Sequence, residues 1–435
     1  MTTLTKSSPS KSLLVRVPFI DHMRGFIFLL MAVDHSLHAY AANWGRYWFY
    51  RDYDRSYVFD ALYLFNQAAV MPVLFFTFGA YVLPKSAALG WKCFWQDRFV
   101  KHILPFMIGI PLVVPLLSYP KFHEYENPSP TYLEYWKDIF FSEKLQAGPY
   151  WVMYAVILYT IMLLLLNKLF PKLIPWTAHA ISKAVSSPAK AFTSFILFSM
   201  IVYGLSDLRW GAPWWIGLRN ILPDVLHGEL FSLQASKFLM NFVYFALGAA
   251  FMHSKAWEQS KYRTNFESKR FSFLGITLVI GLAYVLYSHF YFADGAFDYS
   301  FYKTLREGDE TLRAWSDAFA LLPQVAPAIL IRTSLLGALA FFQVITLMTF
   351  LSAQSTSSNP NDFRTKIWTS AAACCWGIFI FHDPLVIWGQ FFLTDFDLII
   401  FFKFAIVAVV GISSSWALTH LILKVKYIRT VFELD

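Results

Sequence analysis

Ten long apolar stretches run along the chain, at about 18–40, 60–84, 99–119, 149–168, 189–207, 235–253, 271–291, 320–351, 367–389 and 398–422. Each is long enough to cross a hydrocarbon layer of about 30 Å as a helix. The pattern therefore predicts an all-α polytopic membrane protein, a bundle of about ten transmembrane helices. It divides the chain into a tail at 1–17, a transmembrane domain at 18–422 and a second tail at 423–435. The eighth stretch is long enough to tilt or kink, with Pro323 and Pro327 near its start.

Composition agrees. With 57% hydrophobic and 19% aromatic residues and only 15% charged, the chain has too few polar side chains to cover a large soluble globule. The basic residues fall in alternate loops: Lys6, Lys11 and Arg16; Lys85, Lys92, Arg98 and Lys101; Lys168, Lys172, Lys183 and Lys190; Lys255 to Arg270; Arg364 and Lys366; Lys424, Lys426 and Arg429. The opposite loops hold the acids Glu124, Glu126, Glu134, Asp138, Glu143, Asp298, Glu307, Asp309, Glu310 and Asp317. The positive-inside bias then places both termini in the cytoplasm. A net charge of +8 spread over short juxtamembrane loops suits anionic lipid head groups and argues against nucleic acid. The first stretch is too long and too polar within to be a removed signal peptide, so it is expected to stay in the mature chain. Cys93, Cys374 and Cys375 have no spacing for a disulfide framework or a metal knuckle, and no metal is expected.

The loops add detail. NWGRYWFYRDYDRSYVFD reads as an interfacial aromatic belt or as a rim facing a sugar. Residues 208–234 suit a re-entrant or surface-lying piece, and GDETLRAWSDAFALL within 292–319 suits a short helical cap. SAQSTSSNPNDFRTK reads as a flexible inner loop. No glycine-rich phosphate loop, HExxH or nucleophile elbow is present.

The unusual feature is the first apolar stretch, IDHMRGFIFLLMAVDHSLHAYAA, which carries Arg24 and His35. Eleven residues at about 100° each return to within roughly 20° of the same face, about 16 Å further along the helix. Asp21 and His38 extend that stripe. Ionisable groups at membrane depth face a bundle interior, a wet cavity or a partner charge. Two readings remain open on spacing alone: an Asp21–Arg24 pair fixing the helix end with an interfacial histidine, or a functional site. An anionic-solute transporter is a rival class to an enzyme, because Arg24 and the histidines could line a pathway.

The run DHMRGFIFLLMAVDH resembles the first-helix hallmark of the acyltransferase 3 superfamily, an arginine and a histidine separated by ten residues; Asp21, Arg24, Gly25 and His35 match it. FFTFGAYVLPKS at 75–86, FWQDRFVKHILPF at 94–106, GPYWVMYAVILY and GIFIFHDPLVIWG resemble later segments of that family in the same order. Gly79–Ala80 stands where the family has a Ser-Gly pair, and no esterase-like domain of the kind fused to some members is present. The resemblance implies an integral membrane O-acyltransferase, placed in a bacterial inner membrane. It would move an acyl group, acetyl first and succinyl as the alternative, from cytoplasmic acyl-CoA to an envelope polysaccharide or lipid-linked glycan.

Such a reaction needs a base for the acceptor hydroxyl and positive charge or donors for the oxyanion. His35, near the outer end of the first helix, is the expected general base. Arg24, with Asp21 limiting the cost of burying it, would grip the donor. Arg98, Lys101 and His102 would neutralise the nucleotide end of acyl-CoA. Trp151, His382, Asp34 and His38 are candidate acceptor-side residues, while the group that orients His35 stays open, since Asp34 lies about 100° around the helix.

Overall fold

A computed structural model of the chain describes residues 16–125, 129–143, 145–210, 215–217, 231–292, 312–357, 362–425 and 429. Its main helices are α1 (Pro18–Leu37), α2 (Tyr57–Ala80), α3 (Val82–Arg98), α4 (Leu104–Leu112), α5 (Val114–Tyr125), α6 (Trp151–Leu169), α7 (Leu173–Ser186), α8 (Pro188–Trp210), α9 (Ala235–Ser254), α10 (Arg270–Phe292), α11 (Leu312–Ser357), α12 (Phe363–Leu393) and α13 (Ile400–Ile422). Eight described helical segments are long and apolar enough to cross a membrane. The first and sixth stretches expected to span are also helical, as α1 and α9, each of 20 residues.

α1 is the central helix. It packs most extensively on α12 and also touches α2, α11 and α13. Small residues allow these approaches where lipid offers no hydrophobic drive of its own. A methyl group at Gly25 would sit 2.7 Å from the backbone nitrogen of Ala372 on α12. The α2–α9 contact is closer and reciprocal: a Cβ on Gly79 would lie 1.9 Å from the Phe245 carbonyl oxygen, and one on Gly248 would lie 2.0 Å from that of Phe76. No side chain fits at position 79 unless the two helices move apart.

Three sequence expectations change. The lysine-bearing stretch after the second span is not a loop but helix α3, folded back at Gly90, whose φ of +70° breaks the helical path. In a straight helix Lys85 and Asp97 would stand about 18 Å apart; here they form an ion pair at 2.6 Å. α3 then runs through a wide π turn, Phe99–Ile103, into α4. The cap expected at GDETLRAWSDAFALL and the eighth span are one helix from Leu312 onward, with 293–311 outside the described residues. The expected inner loop at 352–366 is mostly the ends of α11 and α12, with 358–361 outside the described residues.

Within 208–234, α8 reaches Trp210 and Trp215–Gly217 pairs antiparallel with Ser232–Gln234; 211–214 and 218–230 lie outside the described residues. So do Glu126, residues 1–15 of the first tail and most of the second.

Candidate active site

α1 is unbroken, so Arg24 and His35 remain about 16 Å apart along it, and each has its own polar cluster. At the C-terminal end, Nδ1 of His35 lies 2.5 Å from Oδ1 of Asp383 and 3.0 Å from Nε2 of His382, both on α12. His382 Nδ1 is 2.7 Å from the Ile378 carbonyl one turn earlier. A carbonyl only accepts, so that nitrogen carries the proton; with the ring neutral, Nε2 is the acceptor toward His35, and it also lies 3.2 Å from Asp383 Oδ1. His35 Nδ1–H is then the donor shared between Asp383 and His382. Its Nε2 keeps a free lone pair, takes no bond among the described residues, and belongs to a side chain that is 14% exposed.

The neighbours hold this arrangement. Gln390, two turns further along α12, donates from its amide to the carbonyls of His35 and Ser36, both at 3.0 Å, where α1 ends and its carbonyls lose their regular helical donors. The same amide accepts from the Trp48 indole at 2.8 Å, and the Trp48 ring packs 4.9 Å from His35 and 4.6 Å from His38. Trp48 is carried by the aromatic loop before α2. That loop is pinned by Asp60, which accepts from the backbone of Asn43 and Trp44, and by the buried Asp52–Lys403 pair at 3.1 Å. Asp34 serves His38 at 3.2 Å and accepts from Gln67 at 2.9 Å.

At the other end of α1, Arg24 is buried, donates to the Thr77 carbonyl at 3.1 Å, lies 3.6 Å from Asp21, and has its guanidinium over the rings of Phe78 and Tyr81. The folded-back α3 and the π turn after it bring Lys85, Arg98, Lys101 and His102 to the same region, all buried. Lys85 and Lys101 share Asp97, at 2.6 and 3.2 Å. Four cations, Arg24, Lys85, Arg98 and Lys101, thus face two carboxylates, Asp21 and Asp97. Among the described residues, Arg98 Nε is buried without a partner and the ring nitrogens of His102 make no well-formed hydrogen bond. An excess of buried positive charge with unused donors suits an anion. Between the two clusters stands a column of rings: His102 against Trp376, Trp376 against Phe28 and Phe379, and Phe379 against His382.

The structure therefore brings His35 and His382 together, and Arg24 near Arg98, Lys101 and His102. It does not join Asp34 to His35, and it packs Trp151 beside Phe75. Sequence reasoning passed over Asp383 as the partner of His35, and it passed over Trp48, Gln390 and Lys85. Asp383 had a signal, a carboxylate within an apolar stretch; the others depend on loop and kink geometry. His35, His382 and Asp383 offer three ligand atoms within 4.8 Å of one another, a set able to meet a metal ion. Bonds of about 2.0–2.1 Å in a tetrahedral zinc site would hold donors about 3.3 Å apart. The 2.5 Å His35–Asp383 contact is shorter than that spacing and is a charge-assisted hydrogen bond.

No curated protein and no solved structure matches the chain. The model of an acyltransferase domain, acyltransferase 3, matches residues 17–420, from the residue before α1 to the last turn of α13. The chain belongs to the acyltransferase 3 family of membrane acyltransferases.

Proposed function

We propose that the chain transfers an acyl group, acetyl in the first instance, from cytoplasmic acyl-CoA to a hydroxyl of an extracytoplasmic or outer-leaflet glycan of a bacterial envelope. The observation that carries this reading is the His35 imidazole, bound through Nδ1 to Asp383 and His382 with Nε2 left open. That is the arrangement of a general base: one nitrogen fixes tautomer and ring direction, and the other is presented to the acceptor.

The acceptor oxygen attacks the thioester carbonyl carbon as its proton passes to His35 Nε2. The imidazolium so formed is stabilised by Asp383. When the tetrahedral intermediate collapses, the carbon–sulfur bond breaks and the leaving thiolate takes the proton back from His35. The cationic cluster around Arg24, Arg98, Lys101 and His102, joined by Lys85, suits the phosphates of the donor. Its distance from His35 is a distance for the extended pantetheine arm to cover, and the positive-inside bias puts the cluster on the cytoplasmic side. Trp48, packed at a tilt beside His35, presents a flat ring of the kind that packs on a sugar face, with His38 and Asp34 nearby.

Full-length protein in lipid, given acyl-CoA with and without an envelope glycan fraction, tests this. The reading requires thiol release that depends on the glycan; binding or passage of solute without thioester cleavage would make the protein a transporter.

A further inference from the structure

Tyr150 is not used by the mechanism above, yet it stands beside it. It ends the turn Gly148–Tyr150 that leads into α6, is 1% exposed, and its hydroxyl is buried with no hydrogen-bond partner among the described residues. A phenol is ordinarily paired when buried, because an unmet O–H forfeits its hydration for nothing. The ring packs against Phe379, which in turn packs against His382, the neighbour of Asp383 and partner of His35. Its position is enforced from the other side. A methyl group on Gly109 of α4 would come within 2.2 Å of Tyr150 Cε1 and 2.8 Å of the hydroxyl, so only glycine leaves room for the ring.

We infer that the Tyr150 hydroxyl is the hydrogen-bond donor to the thioester carbonyl oxygen, and to the oxyanion that forms there, when the acyl group is seated at His35. The inference rests on the acyl-transfer reading. In the step concerned the acceptor oxygen bonds to the carbonyl carbon, the carbonyl π pair moves to oxygen, and Tyr150 donates its hydrogen bond to that oxygen while keeping its proton. The proton from the acceptor still goes to His35. The carbonyl then re-forms, the carbon–sulfur bond breaks, and the thiolate leaves. Supplying the donor only when acyl substrate is present explains an orphaned hydroxyl in the resting protein, and the gain is largest where charge develops.

The test is Tyr150→Phe in the full chain in lipid, which removes one oxygen and keeps the ring. Loss of a single oxyanion donor costs on the order of 10²-fold in kcat. That loss is expected with KM for acyl-CoA, thermal stability and the pH dependence of the rate unchanged. Gly109→Ala, which pushes the ring aside, is expected to slow the wild type but to add nothing in the Tyr150→Phe background. A Tyr150→Phe protein as fast as the wild type overturns the inference. So does a shifted pH dependence at full plateau rate, which would make the hydroxyl a prop for Asp383. A wild type that transfers no acyl group from any donor would instead remove the acyl-transfer reading itself.

Discussion

Replacing Asp383 by Asn separates the chemistry of the His35 cluster from its packing. The side chain keeps its shape, but the charge 2.5 Å from His35 Nδ1 is gone. With the centres of carboxylate and imidazolium about 4 Å apart and an effective dielectric near 20, their attraction is about 4 kcal/mol. At about 1.36 kcal/mol per decade that is roughly a 10³-fold loss of kcat. The equivalent change in a serine-protease triad costs about 10⁴, part of it through the wrong tautomer. Stability moves differently, because Asp383 Oδ2 is buried with no partner among the described residues and the substitution removes a buried charge. Turnover measured with radiolabelled acyl-CoA, beside thermal unfolding of the same preparation, should show the rate loss with an unlowered midpoint. A variant within about tenfold of wild type, a difference of only ~1.4 kcal/mol, would refute the claim that Asp383 stabilises a charged His35.

Other outcomes follow from the same geometry. Arg98→Ala should raise KM for acyl-CoA by about tenfold to a hundredfold, the value of a charged hydrogen bond to phosphate, and leave kcat in place; a fall in kcat alone would detach the cluster from donor binding. Gly79→Ala should destabilise the protein by about 3 kcal/mol or more, because its Cβ would lie 1.9 Å from a backbone oxygen that cannot yield; an unchanged thermal midpoint in detergent would contradict the α2–α9 contact. Treatment with a chelator should leave transfer intact, whereas a loss reversed by zinc would reassign His35, His382 and Asp383 as metal ligands.

The helical membrane architecture was legible because hydrocarbon imposes long apolar runs, and the Arg24–His35 stripe because charge in such a run is costly. His382 stood out for the same reason. What escaped the sequence was pairing between helices. Asp383 lies 348 residues from His35, and nothing in local spacing says that α12 lies against α1 in that register. Lys85 looked like ordinary juxtamembrane charge until Gly90, through one positive φ, folded it back onto Asp97. Trp48 was one of several aromatics in a loop whose course is fixed by Asp60 and by the distant Lys403. The long helix from Leu312 was divided in the sequence reading because two prolines and a polar lead-in resembled a boundary.

The central claim is that His35 takes the acceptor's proton in acyl transfer. Wild-type and His35→Ala proteins, reconstituted at equal density and matched for folding, should be supplied with radiolabelled acetyl-CoA and an envelope glycan fraction, and the label on the glycan counted. Label that appears only with wild type and only when glycan is present is the expected result. Equal labelling by the His35→Ala protein would remove His35 from the chemistry.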